Sequence, residues 1–172
     1  MKSLPLEKAY QLLQSGPVIL LTTYDDGKPN VMTMAWTMDV DFTPVFAIVC
    51  SNENFSYKAL SKTKECVIAI PAVDLMEKVV KIGSCSGKDT DKFKKIGLTA
   101  MPAEKIKAPL IKECMANIEC KVIDDSLAEK FNIFILEGVK AWIGDSKKEQ
   151  KMFHSGVEGS FVIDGEKIAR KK

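Results

Sequence analysis

Short runs of apolar or alternating residues, broken by polar turns, run through most of this chain, and they predict strands more often than helices. Residues 4–14 place Leu6, Tyr10 and Leu13 at helical spacing, so a short helix opens the chain before Ser15-Gly16-Pro17 stops it. Residues 17–24 are rich in branched apolar side chains and end in Asp25-Asp26-Gly27-Lys28-Pro29. That turn leads into a second strand over 30–38 and predicts a hairpin. Alternation puts Val31, Thr33, Ala35 and Thr37 on one face of the second strand, with Met32, Met34, Trp36 and Met38 on the other. Residues 44–50 form a nearly continuous apolar strand. A polar turn at 51–54 and a helix start at 55–61 follow it. A strand over 65–70 closes at Pro71, and 74–81 has helical spacing through Leu75, Val79 and Val80. A short helix is expected over 89–96, capped by Asp89 and ended by Gly97, and then Pro102 and Pro109 predict an extended, exposed connection. Over 115–122 the alternation predicts a half-buried strand, with Ala116, Ile118, Cys120 and Val122 inward and Asn117, Glu119 and Lys121 outward. Further strands are expected over 131–141 and 161–168, the latter turning at Asp164-Gly165.

Six or more strands joined mostly by turns favour an antiparallel barrel over a doubly wound sheet, and no Gly-x-Gly-x-x-Gly fingerprint supports a Rossmann domain. With 172 residues, 46% hydrophobic and 28% charged, the chain can bury a sizeable core and is expected to form one domain over 1–172. The formal net charge is +2, and the one obvious basic cluster is the terminal Ala169-Arg170-Lys171-Lys172, which is expected to be solvated and frayed. Nothing therefore points to nucleic acid. The early polar residues interrupt any signal-peptide core, and no apolar run is long enough to span a membrane, so the expected location is the cytoplasm. The five cysteines form no Cys-x-x-Cys pair and read mainly as small buried hydrophobes, while a single histidine, His154, removes most metal sites.

Candidate chemistry centres on residues 83–93, Gly-Ser-Cys-Ser-Gly-Lys-Asp-Thr-Asp-Lys-Phe. Ser86, Gly87 and free backbone N–H groups at a helix start can seat an anion, and Lys88 and Lys92 add positive charge. A plain capped helix with solvated lysines fits the same residues. The strand–loop–helix order around Ser51, Asn52, Asn54 and Ser56 also suits a phosphate, although Asn52 and Asn54 are equally ordinary turn residues. Cys85 reads either as a redox thiol beside this seat or as a structural one. His154 reads as a surface residue or as an acid near a cofactor.

The strand over 30–36, the loop over 51–56 and Ser86-Gly87-Lys88-Asp89 with Asp91-Lys92-Phe93 occur in an order that resembles a known family. Pro109, Glu113 and the strand over 116–120 extend the likeness to most of the chain. It is similar to the flavin reductase-like proteins with an FMN-binding split barrel, and among them to flavoredoxin-type members. This resemblance implies a mainly β fold, an antiparallel six-stranded split β-barrel with short flanking helices. It also implies a homodimer holding FMN noncovalently near its interface. On this reading Asn30, Val31, Met32, Thr33, Met34, Ala35 and Trp36 lie along the flavin ring, whose pyrimidine edge is read by backbone groups, hydroxyls and amides. Trp36 can flank the ring or belong to the core. Ser51, Asn52, Asn54 and Ser56, with Cys85, Ser86, Gly87, Lys88 and Lys92, surround the phosphate end. Relatives often carry an arginine and a threonine where this chain has Asn52 and Asn54, and often an arginine at the place of Lys88. The implied activity is that of an oxidoreductase taking reducing equivalents, from NAD(P)H or from a redox protein, and passing them on. The alternative is a flavoredoxin-like electron carrier.

Overall fold

Asp26 and Gly27 have φ of 47° and 78°, and this two-residue turn joins strand β1 (Ile19–Asp25) to β2 (Lys28–Met34) in full antiparallel register. Positive φ at both positions matches the right-handed twist of the flanking strands. The molecule is described by a computed structural model covering residues 16–145 and 150–166. The helix expected over 4–14 and the basic terminal cluster lie outside those residues. The remaining strands are β3 (Thr37–Asp39), β4 (Val45–Val49), β5 (Glu65–Ile70), β6 (Ala100–Met101), β7 (Leu110–Ile111), β8 (Ala116–Asp124), β9 (Ile133–Ile143), β10 (Phe153–Ser155) and β11 (Phe161–Ile163). The helices are α1 (Phe55–Thr63), α2 (Met76–Gly83), α3 (Lys92–Ile96) and α4 (Ala128–Phe131).

Seven strands form one sheet in the order β2-β1-β5-β8-β9-β4-β3, every neighbour antiparallel. Its two edges, β2 and β3, are consecutive in sequence and separated by Ala35 and Trp36 alone. The sheet must therefore curl until one edge hands the chain to the other, which makes a split barrel. The strand expected over 30–38 is thus two strands. At the break Thr37 N–H donates to the Ala35 carbonyl (3.1 Å) and Val49 N–H to the Trp36 carbonyl (3.0 Å). No glycine or proline marks the bend, because barrel closure imposes it. Counted as one bent strand, 28–39 leaves the six strands expected.

Alternation sorts the side chains into two cores. Ile19, Leu21, Met34, Ile48, Cys50, Cys66, Ile68, Cys120, Phe134 and Leu136 fill the inside of the barrel with Leu60 of α1. Val18, Leu20, Val31, Val67 and Ala69 point outward, where α2, α3, the connection over 98–111 and Phe153 cover them. Four of the five cysteines are buried, and burial raises the Cys50 and Cys114 thiols to about 12.

The second core corrects two expectations. Asn117 and Glu119 do not face solvent; both are buried. Asn117 accepts from Ile111 N–H (2.8 Å) and donates to the Ile111 carbonyl (3.0 Å). Glu119 accepts from the backbone N–H groups of Glu104 and Lys105 and from the Trp142 indole. The connection between Pro102 and Pro109 keeps Pro102, Glu104, Lys105 and Lys107 exposed, as expected, but is anchored through its other residues. Ile106, Ala108 and Pro109 are buried, and the Thr22 hydroxyl donates to the Pro109 carbonyl at 2.6 Å. The outer face of the sheet needs an apolar cover, and this segment supplies it. Near the C-terminus β10 pairs with β11 across residues 156–160. Residues 164–166 are not in a strand, and the arm expected beyond Asp164-Gly165 lies outside the described residues. No helix among the described residues is long and apolar enough to cross a membrane.

Candidate functional site

β4 ends in a tight polar turn in which Asn54 N–H donates to the Ser51 carbonyl (2.9 Å) and Glu53 N–H to the Ser51 hydroxyl (3.3 Å). α1 starts immediately after it, with Asn54 as N-cap in an extended conformation and no side chain bonding the free helix start. The first N–H groups of a helix lack intrahelical partners, so this end offers donors. Ser56, in the first turn, is buried and its hydroxyl accepts from Asn30 Nδ2 of β2 at 2.8 Å. The edge strand β2 and the beginning of α1 are thereby locked together.

The other wall comes from α2 and the segment after it. Thr33 of β2 donates to the Val79 carbonyl (2.7 Å), which fixes α2 along the outer side of the edge. Gly87 packs against Asn30 and Phe55: a Cβ there would stand 2.1 Å from Asn30 Oδ1 and 2.9 Å from Phe55 Cδ1. Only glycine permits this close approach. Residues 87–89 form a turn rather than a helix start, and the cap of α3 is Asp91, whose carboxylate accepts from Lys94 N–H at 3.0 Å. The expected Asp89 cap is corrected accordingly, since the helix begins three residues later. Lys92, in the first turn of α3, folds inward and donates to the Ile82 carbonyl at 3.0 Å. Burial pushes its ammonium below the usual lysine range, and the nearby Cys85 offsets part of that shift.

Between these walls lies a cleft of about 360 Å³. Asn30, Met32, Thr33, Asn54, Ser56, Cys85, Ser86, Gly87 and Lys92 line it, as do Glu53, Phe55, Ile82, Gly83 and Ser84, which the sequence reading did not single out. Because both faces of β2 contribute, inward Asn30 and Met32 as well as outward Thr33, the cleft runs along the free backbone edge of that strand. Glu53 and Phe55 sit inside the loop already marked, and Gly83 and Ser84 open the small-residue run over 83–93. Ile82 carried no local signal, because only the packing of α2 on β2 brings it there.

Val31, Met34, Ala35, Trp36, Ser51, Asn52 and Lys88 do not line the cleft. Val31 and Met34 are core residues on opposite faces of the sheet, and Ala35 packs against the outer core. Trp36, 58% exposed, borders a separate apolar hollow with Met38, Val49 and Ile133. Ser51 shapes the turn, Asn52 uses its backbone N–H on Asn132 Oδ1 (3.1 Å), and Lys88 is exposed. The Cys85 thiol faces the Lys81 carbonyl at 3.4 Å, and no other cysteine lines the cleft. His154 stands elsewhere, 3.1 Å from Asp164.

Lys92 is the one cation among the lining residues and Glu53 the one acid. An anionic group suits the donors that line the cleft, the Lys92 ammonium and the start of α1. A planar group carrying donors and acceptors suits the strand edge, flanked by Met32, Phe55 and Ile82. The described residues contain no cluster of three or more metal-ligating side chains.

Comparison with known proteins identifies the family. The flavin reductase like domain family matches residues 13–159. An uncharacterised protein of Archaeoglobus fulgidus is 33% identical over 125 residues, covering 72% of this chain and 71% of that protein. Among solved structures, flavoredoxin of Desulfovibrio vulgaris (Miyazaki F) is 27% identical with a TM-score of 0.80, covering 90% of each chain. The FMN-binding domain of a flavin reductases-like enzyme from Shewanella baltica has a TM-score of 0.82 at 24% identity, over 99% of this chain and 97% of that one. The family match across most of the sequence, with a split barrel that carries its cleft along a strand edge, means that this chain belongs to the flavin reductase-like family.

Proposed function

We propose that the protein is a flavoprotein oxidoreductase that binds FMN noncovalently in the cleft along β2, accepts reducing equivalents from NAD(P)H and passes them to a further acceptor. The observation that carries this reading is the meeting of a buried lysine, an uncapped helix start and a free strand edge in one cleft of a chain of this family. The cleft volume falls within the range of about 300–1,000 Å³ common for ligand sites. When bound, FMN supplies the two-electron chemistry that no side chain here provides.

The chain's own residues bind and orient. Lys92, Ser56, Asn54 and the first N–H groups of α1 would hold the phosphate, with Ser86 and Gly87 also available to it. The backbone edge of β2, with Asn30 and Thr33, would read the polar rim of the ring, while Met32 and Phe55 would exclude water from it. The roles proposed for the lining side chains are positioning and electrostatics. Anaerobic mixing of the yellow, FMN-loaded protein with NADH and with NADPH tests the donor. Bleaching of the flavin band by one of them is expected, and failure with both removes the pyridine-nucleotide activity.

A second reading, electron carrier between redox proteins, is favoured by the 27% identity to a flavoredoxin across 90% of the chain. It predicts that FMN stays bound through many electron exchanges with an iron–sulfur protein and that no free flavin turns over. Both readings place the protein in the cytoplasm, where five free thiols persist. Both also use a homodimer. Trp36, Met38, Val40 and Phe42 are 58%, 63%, 48% and 110% exposed along the β3 edge, an apolar run that a second copy of the chain covers.

A further inference from the structure

We propose that Asn132 is a positioning residue that makes the cleft prefer a phosphorylated flavin over riboflavin. This rests on the FMN reading given above and deepens it. Asn132 lies outside the cleft and touches none of its space. It is the C-cap of α4, in the left-handed conformation at φ 59° and ψ 20°, with its own N–H bonded to the Ala128 carbonyl. Asparagine tolerates that conformation better than most residues.

The β4–β9 ladder ends at Val49 and Ile133. From there Asn132 prolongs the hold on the β4 side. Its backbone carbonyl accepts from Cys50 N–H at 2.8 Å, and its side-chain Oδ1 accepts from Asn52 N–H at 3.1 Å. One residue thus pins two alternate amides of the segment leading to Asn54 and α1. The turn is exposed at Asn52 and Glu53, and its remaining internal bonds run to Ser51 alone. Without the Asn132 clamp, nothing from another segment among the described residues bonds the backbone of residues 51–53. The Asn30–Ser56 bond ties the first turn of α1 to β2, so what the clamp adds is the placement of the turn over 51–53 and of the Asn54 N-cap that leads into the helix-start donors. The ring end, along β2, is held by the β1–β2 ladder and by the Thr33 bond to the Val79 carbonyl, neither of which involves Asn132.

The test compares FMN and riboflavin binding, by quenching of flavin fluorescence, in the full chain and two variants. Asn132→Gly keeps access to the left-handed conformation and removes the side-chain acceptor, while Asn132→Asp keeps an acceptor oxygen. The loss of one hydrogen bond predicts a FMN dissociation constant raised about three- to tenfold in Asn132→Gly. Riboflavin affinity should stay within about twofold, and Asn132→Asp should restore FMN binding. Equal loss for both flavins, or an unchanged ratio, overturns the positioning role and leaves the FMN reading standing. A wild-type chain that binds neither flavin overturns the FMN reading itself, and the role of Asn132 with it.

Discussion

Lys92 holds its Nζ 3.0 Å from the Ile82 carbonyl with 6% of its surface exposed, so its charge is desolvated before any ligand arrives. Its pKa is accordingly below the ordinary 10.5, by burial first and against a smaller opposing pull from Cys85. The unfolded chain binds this proton more tightly than the folded one. Stability of the flavin-free protein therefore rises as pH climbs from the folded value towards 10.5. A phosphate beside the ammonium reverses the shift. FMN binding in alkaline buffer should take up protons, and calorimetry in two buffers of different ionisation enthalpy reads that directly. Lys92→Met keeps the volume and removes the charge; it should melt no lower than wild type and bind FMN at least about tenfold more weakly. A variant with unchanged FMN affinity would show that the phosphate lies elsewhere. At this scale the sequence marked both Lys88 and Lys92 as candidates. They could not be separated without knowing where α3 begins, because a two-residue shift of the cap, from Asp89 to Asp91, decides which lysine turns inward.

At the scale of elements, Glu119 is the instructive case. Period-two alternation assigns it to solvent, and the rule fails because the segment over 98–111 folds over that face. Burial alone would raise its carboxyl, but the N–H groups of Glu104 and Lys105 and the Trp142 indole together hold it below the usual range. A depressed carboxyl contributes stability that is full above the unfolded pKa and is lost as pH falls through the folded one. Glu119→Gln keeps the size and weakens three acceptor contacts, at a cost of about 1–3 kcal/mol. Faster hydrogen exchange at the Glu104 and Lys105 amides, and a flatter acid limb in the melting temperature, are expected. If exchange and acid limb both stay at the wild-type values, the carboxylate does not anchor the connection.

For the whole molecule, the decisive feature is that β2 and β3 are opposite edges joined by two residues. This brings the cleft side of β2 and the apolar hollow beside Trp36 and Met38 onto one continuous piece of chain. A partner seated on that hollow would lie one bend along the chain from β2, the strand that bounds the proposed flavin cleft. The double change Trp36→Glu, Met38→Glu should yield monomers by light scattering and weaken FMN binding, since like charges would meet across the two-fold axis. The wild type should lose flavin on dilution. A monomeric variant with undiminished flavin affinity would separate the two sites.

Sequence by itself determined the hairpin at Asp26-Gly27, the strands over 65–70 and 44–50, the start of α1 and the loops that bound the cleft, because each rests on local turn chemistry or on the period of a strand. The strand and turn pattern favoured an antiparallel barrel, and the family likeness specified a split one. What tertiary structure alone decided was which side of each element would be covered and what would come together across the chain. The break at Ala35 and Trp36, the burial of Asn117 and Glu119, the approach of Ile82 to β2 and the withdrawal of Trp36 from the cleft all follow from closing a curled sheet and covering its outer face. Local period says which side chains share a face; the rest of the chain, folded against it, settles whether that face meets solvent, core or ligand.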